Sequence, residues 1–157
     1  MKTYIFDLDH TVIDSTHRQL TKADGSLDLA HWIENNTPEK IAADSLLPIA
    51  NIWKAQQMKT EIIVCTARVF GAADAQFLVD HGLYADAILS RPMGDSSPDW
   101  MLKERLLRDY ASTTGRSWAR FCRTAVMYDD NEAVVKMAYL NNIDAYNAIA
   151  LNKSMVA

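Results

Sequence analysis

Asp7 and Asp9 stand two residues apart after the apolar run Tyr4-Ile5-Phe6, and the hydroxyl of Thr11 follows two residues later. In extended chain, residues i and i+2 project to the same side, so the two carboxylates can share one ion or one reacting group. Two like charges held that close are costly unless a cation or a proton is shared. Asp and Thr also populate ordinary strand-to-loop turns, so the pair alone leaves both readings open. Two other apolar segments end the same way. Glu61 to Cys65 runs into Thr66-Ala67-Arg68, and Thr124 to Tyr128 runs into Asp129-Asp130. Asp7 and Asp129 are hard oxygen ligands of the kind Mg²⁺ takes together with waters and phosphate oxygens. A hydroxyl (Thr66) and a cation (Lys103) can hold the remaining oxygens of a transferring phosphoryl group. One aspartate can act as nucleophile, forming an aspartyl phosphate, while its neighbour shuttles the proton.

These side chains meet only if the segments that carry them lie side by side. Tyr4, Ile5 and Phe6 are β-formers without alternation, which predicts a strand buried on both faces, with Asp7 at its C-terminal end. Val12 to Pro38 is weakly periodic and reads as an insertion with a short helical piece around Asp28–Asn35. From Asp44, read as an N-cap, to Lys59 the apolar spacing predicts a helix. A strand over Glu61–Cys65, a helix over Gly71–His81 closed by Gly82, and a short strand at Ala87–Leu89 follow. After the loop Ser90–Pro98, a helix starts at Ser97-Pro98-Asp99 and runs to about Ser112. Gly115–Arg123 reads as a basic connector. Thr124–Tyr128 is a strand, Glu132–Leu140 a helix, and Ile143–Ile149 contains the last strand. The alternation means βαβ units: an α/β fold with a parallel sheet and helices on both faces. Open sheets of this kind carry their chemistry at the C-terminal strand ends, where all three polar ends would gather with Lys103 in reach.

At 157 residues the chain fits a single domain, and 49% hydrophobic with 23% charged residues is ordinary for a globular protein. A net charge of −4 argues against an extensive phosphate-neutralising surface for duplex nucleic acid, while leaving room for a small basic site. Neither Cys65 nor Cys122 has a metal-ligand spacing, and Cys65, inside an apolar run, reads as a buried free thiol. The N-terminus carries no signal-peptide pattern and no apolar run approaches the length of a membrane span, so a cytoplasmic setting without membrane contact is expected.

Taken together, Asp7-x-Asp9-x-Thr11, Thr66, Lys103 and Asp129-Asp130, in this order and on these elements, resemble the four motifs of the haloacid dehalogenase (HAD) superfamily of phosphohydrolases. The resemblance covers most of the chain and implies a Rossmann-like sheet. It implies Asp7 as nucleophile and Asp9 as general acid/base, with Asp9 also lending its backbone carbonyl to Mg²⁺. Asp129 would be the further metal ligand and Asp130 its support, with Thr66, Lys103 and the motif hydroxyl Thr11 on the phosphate. Residues 12–43 would form a small cap insertion within one domain, 1–157. His10 departs from the pattern, standing where most relatives have Gly. The backbone there turns tightly, and positive φ is uncommon outside Gly although His tolerates it.

A narrower resemblance extends over Arg68, Arg91-Pro92-Met93-Gly94-Asp95, Asp99-Trp100-Met101-Leu102-Lys103-Glu104 and Val126-Met127-Tyr128-Asp129-Asp130, which look like the 3′-phosphatase domain of phage polynucleotide kinase. It implies Arg18 and Arg68 at the phosphate and Asp99 as a further acidic site residue. No GxxxxGK[ST] loop is present, so the kinase half is not expected. Each of these residues also has a plain structural reading: Arg18 and Arg68 as salt-bridge partners, Asp99 as a first-turn acid, Lys103 as its i,i+4 partner. Trp32, Trp53 and Trp100 read as core or cap packing, with nucleobase stacking as the other use of Trp32 or Trp53. The arginines of the connector read as a solvated loop or a nucleic-acid contact. The function expected is Mg²⁺-dependent phosphomonoester hydrolysis at a 3′-phosphorylated polynucleotide end. The alternatives are a small-molecule phosphatase such as a nucleoside monophosphate 5′-nucleotidase and, from another class, a receiver-type phospho-switch. Receivers place the acidic pair and the phospho-acceptor in a different chain order.

Overall fold

In a computed structural model that describes residues 1–156, strand and helix alternate along the chain. The elements are β1 (Thr3–Phe6), β2 (Ile13–Asp14), a 3-10 turn (Thr16–Arg18), α1 (Leu29–Glu34), α2 (Pro38–Ala42), β3 (Ser45–Leu46), α3 (Ile49–Gln56) and β4 (Glu61–Thr66). They continue with α4 (Ala72–Asp80), β5 (Ala87–Ser90), α5 (Asp99–Thr113), α6 (Trp118–Thr124), β6 (Ala125–Asp129), α7 (Glu132–Leu140), β7 (Asp144–Asn147) and α8 (Ala148–Met155).

Five parallel strands form one sheet in the order β5-β4-β1-β6-β7, with β1 in the middle as its unalternated apolar run requires. Successive β1 residues feed opposite layers. Phe6 joins Ile62, Val64 and Tyr128 under α3, α4 and α8, where Ile49, Trp53, Phe77, Leu78 and Ala148 pack. Ile5 joins Ile63, Cys65 and Met127 under α5, α6 and α7, where Leu107, Phe121, Val134 and Met137 pack. Ile5 and Phe6 are fully buried, each worth about 1.5–3 kcal/mol of transfer free energy. An aromatic row, Trp53–Phe6–Tyr128–Tyr146, crosses the first face with centroid spacings of 5.1, 5.1 and 5.6 Å. Burial pushes the free Cys65 thiol up to about 12, so it is an inert core residue.

The register fixes the chemistry-bearing edge. Phe6 lies opposite Tyr128 on one side and Val64 on the other, and the amide of Asp7 continues the pairing by donating to the Tyr128 carbonyl at 3.0 Å. Asp7 and Asp129 therefore leave the sheet side by side, at the strand where the connections part to left and right.

Two local expectations are corrected, and α2 and α8 add to the expected elements. Asp44 is not a helix N-cap. Ser45–Leu46 pairs antiparallel with Ile13–Asp14, and α3 begins only after Pro48, whose fixed φ suits a helix start. The basic connector is largely helical, because Ser117 caps α6 by accepting from the Arg120 amide at 3.2 Å. In that segment Arg116 pairs with Glu61 at the N-terminal edge of the sheet, opposite the edge that carries Asp7, so a nucleic-acid contact there would lie away from the acidic strand ends. The insertion holds α2, opened by Thr37 and Pro38, besides α1. The chain ends in α8, capped by Asn147. Among the described residues no helix is long and apolar enough to cross a membrane.

Candidate active site

The ammonium of Lys103 lies between the two strand-end aspartates, 2.8 Å from Asp7 Oδ1 and 2.6 Å from Asp129 Oδ2. Lys103 reaches them from the second turn of α5, and its side chain is fully buried, so the i,i+4 pairing with Asp99 is not formed. Asp99 instead accepts from Arg91 Nη2 at 2.9 Å. The hydroxyl of Thr11 donates to the other Asp7 oxygen, Oδ2, at 3.1 Å. Asp129 turns its second oxygen to the Asn131 amide at 2.9 Å, at the start of α7.

One carboxylate oxygen from each of Asp7, Asp129 and Asp130 falls within 4.8 Å of the others. Three carboxylates there face one ammonium, so negative charge is left uncompensated when all are ionised. Burial first, and then the charge of Asp7, push the carboxyls of Asp129 and Asp130 well above the usual carboxylate range. Burial works against the charge on Lys103, but Asp7 and Asp129 outweigh it and raise its pKa, keeping the ammonium protonated. A cluster of hard oxygens with excess negative charge fits Mg²⁺, which takes a few carboxylates and keeps its remaining positions for water and phosphate oxygens.

Asp9 belongs to a second cluster alongside the first. Arg68 donates from Nε to Asp9 Oδ2 at 2.8 Å and from Nη2 to Asp9 Oδ1 at 2.7 Å. Arg68 Nη1 bonds Asp74, and Asp44 Oδ2 lies 3.6 Å from Nη2. Burial alone would raise the Asp9 carboxyl. The hydrogen bonds and charge of Arg68 and the Ser15 hydroxyl (2.8 Å from Oδ1) more than reverse that and hold it below its ordinary value. Ser15 is tied to His10 through Gln19: Gln19 Nε2 donates to Ser15 Oγ at 3.0 Å, and His10 Nε2 meets Gln19 Oε1 at 2.9 Å. His10 adopts φ 61°, the tight left-handed turn expected there, and its ring holds the insertion against Asp9 through Gln19 and Ser15.

Arg18 is placed otherwise than at the Asp7 cluster. Its side chain is fully buried, with Nε and Nη2 on Asp44 at 2.9 Å each and Nη1 on Asn36 at 2.9 Å. All three nitrogens thus have partners within or directly after the insertion, and the guanidinium lies against Trp32, 4.3 Å from the ring centroid. Thr66, at the end of β4, is buried and accepts from the Arg68 amide at 3.0 Å, which fixes the turn that aims Arg68 at Asp9. Asp74, Ser15 and Gln19 escaped the reading of the sequence, and Asp44 reads there as a helix cap and not as a partner of these arginines. Asp74 alone carried a local signal, since an acid three residues after a Gly at a helix start bonds the opening amide, here Gly71 at 2.9 Å.

The family of proteins described as bacteriophage T5 5′-deoxynucleotidase matches residues 1–156. The 5′-deoxynucleotidase of Escherichia phage T5 is 28% identical over 143 residues, covering 88% of this chain and 52% of that protein. The chain thus spans about half the length of its curated relative. Among solved structures, the Pnkp1/Rnl/Hen1 complex superposes with a TM-score of 0.68 at 19% identity, covering 94% of this chain and 45% of that one. A predicted phosphatase from Clostridium acetobutylicum gives 0.65 at 15% identity, covering 96% and 90%. A HAD-superfamily hydrolase from Geobacter sulfurreducens gives 0.63 at 14%, covering 92% and 85%. At such identities these structures show the fold, which is that of the HAD superfamily.

Proposed function

The chain belongs to the bacteriophage T5 5′-deoxynucleotidase family, and on that footing we propose that it is a Mg²⁺-dependent phosphomonoesterase that hydrolyses deoxynucleoside 5′-monophosphates through an aspartyl phosphate on Asp7. The single observation that carries the chemistry is the buried Lys103 ammonium between Asp7 and Asp129, next to Asp130. Residues 12–43 act as a small cap on one domain.

Asp7 is the nucleophile. Thr11 on Oδ2 and Lys103 on Oδ1 hold its carboxylate in one orientation, so attack on phosphorus begins from a positioned group. The bond from Asp7 to phosphorus forms as the bond from phosphorus to the nucleoside O5′ breaks, and Asp9 gives its proton to the departing oxygen. Asp9 then takes a proton from the water that attacks the aspartyl phosphate, releasing phosphate and restoring Asp7. Asp7, Asp129 and the backbone carbonyl of Asp9, with Asp130 in support, would hold Mg²⁺, which would supply positive charge to the phosphoryl oxygens. Lys103 and Thr66 hold those oxygens too. Arg68 keeps Asp9 ionised while no substrate is present. A phosphoryl dianion competes for the same guanidinium, and as Arg68 turns to it the proton affinity of Asp9 rises, so the acid is armed by the substrate it serves.

The reading that began from a polynucleotide 3′-end rested on motif likeness; the family match favours the mononucleotide alternative. A substrate panel decides between them. Phosphate release is measured with Mg²⁺ and with chelator on the four deoxynucleoside 5′-monophosphates and on a 3′-phosphorylated oligonucleotide. The proposal expects fast release from the monophosphates. Release from the oligonucleotide alone overturns it.

A further inference from the structure

We propose that Trp32, on α1 of the insertion, is the platform on which the nucleobase of the substrate stacks. The inference rests on the nucleotide reading above and adds where the part of the substrate away from the phosphate lies. Asp7 and Asp9 must flank the phosphoryl group, with the departing O5′ at the Asp9 carboxyl. The nucleoside therefore extends past Asp9, on the side away from Asp7. The groups gathered there are Arg68, Ser15 and, behind them, Trp32, whose ring centroid is 5.9 Å from the guanidinium carbon of Arg68 and 4.3 Å from that of Arg18.

The indole is held by an arrangement that core packing does not need. Arg18 and Asp44 form an ion pair with both side chains wholly out of solvent, and burying two charges is expensive unless the geometry serves a purpose. Asp44 and Asn36 occupy all three Arg18 nitrogens in the guanidinium plane, leaving its face as the surface that supports Trp32. Helix α1 buries none of its residues, and Leu29 and Ile33 are 60% and 67% exposed. Trp32 is only half-buried and is the residue of α1 turned to the arginines beside Asp9. A rigid, part-exposed aromatic next to the leaving-group side is what a flat base needs. The other three tryptophans are placed differently, and Trp118 donates to Asn141 Oδ1 at 3.0 Å. Trp53 is fully buried, 5.1 Å from Phe6, and donates to the Tyr84 carbonyl at 2.9 Å. Trp100 lines a groove of about 340 Å³ between α5 and α7.

The test compares thymidine 5′-monophosphate with 2-deoxyribose 5-phosphate, which shares the scissile phosphate but has no base, measuring kcat and KM for the wild type, Trp32→Ala, Trp32→Phe and Trp100→Ala. Thermal melting shows which variants fold. Trp32→Ala raises KM for the nucleotide about 5- to 100-fold relative to KM for the base-free sugar phosphate, with the smaller effect on kcat, and Trp32→Phe recovers most of the difference. Equal losses on both substrates, or a larger nucleotide-selective loss in Trp100→Ala, overturn the inference. So does a Trp32→Phe variant that loses kcat on both. A wild type that turns over no nucleotide is a separate outcome; it overturns the proposed function and this inference with it.

Discussion

Arg68 grips Asp9 with two nitrogens at once, 2.8 Å and 2.7 Å from its two oxygens, and this fork joins the turn after β4 to the turn after β1. The same guanidinium reaches Asp74 at the start of α4 and Asp44 after the insertion. Arg68 thus pins three separate segments together, and in the function proposed above the same side chain also meets the phosphate.

Replacing Arg68 by Lys keeps a charge but removes the fork, since an ammonium cannot bond both Asp9 oxygens in plane. Arg68→Lys lowers kcat/KM for a nucleotide about 100-fold, as loss of one donor to a developing charge does. It also destabilises the fold by about 3 kcal/mol, because buried carboxylates lose their partner. Steady-state kinetics and urea denaturation measure the two effects.

Lys103→Met leaves Asp7 and Asp129 buried together with no cation between them. In chelator the variant melts lower than the wild type, by about 3–5 kcal/mol in stability. Mg²⁺ then raises its melting temperature more than it raises that of the wild type, because the ion fills a larger charge deficit. Thermal melts with chelator and with Mg²⁺ give both numbers.

Asp129→Asn removes one hard ligand from the three-carboxylate cluster. Calorimetric titration with Mg²⁺ shows weaker binding by about 10- to 100-fold or more, and phosphate release falls with it. In the wild type, chelator stops phosphate release and added Mg²⁺ restores it.

Glu61 ties β4 to β1 and α5–α6 at the far edge, accepting from Arg116 at 2.7 and 3.0 Å, Thr3 at 2.7 Å and Tyr110 at 2.7 Å. Burial raises its pKa, but these donors outweigh it and the net shift is downward from 4.5. A carboxylate with a depressed folded pKa adds stability above the unfolded value and loses it as pH falls through the folded one. Glu61→Gln is therefore less stable than the wild type by about 2 kcal/mol at pH 7, and the gap narrows as pH falls from the ordinary glutamate value through the lowered one. Denaturation across pH 3–7 measures it.

The sheet and the strand-end cluster were legible because both rest on local sequence. Unalternated runs such as Tyr4-Ile5-Phe6 announce buried parallel strands, and an acid directly after such a run can only emerge at the sheet edge. The Asp9–Arg68–Asp44–Arg18 cluster was not, because it depends on how the weakly periodic insertion folds back, which no period records. Asp44 shows the difference: as an acid before an apolar stretch it reads as an N-cap, yet Arg18, 26 residues earlier, claims it. Ser15 and Gln19 likewise gain their roles only from the turn at His10. In α6 the Ser117 cap was present in sequence but masked by the basic residues around it.

The central claim is that Asp7 is the nucleophile of a nucleotide phosphomonoesterase, and Asp7→Asn tests it most directly. Phosphate release from deoxynucleoside 5′-monophosphates is measured with saturating Mg²⁺ for wild type and variant, with thermal melting as the check of folding. The account predicts a folded variant whose release is lower by about a thousandfold or more, since an amide cannot form the acyl phosphate. A folded Asp7→Asn protein that still releases phosphate at near the wild-type rate would contradict it.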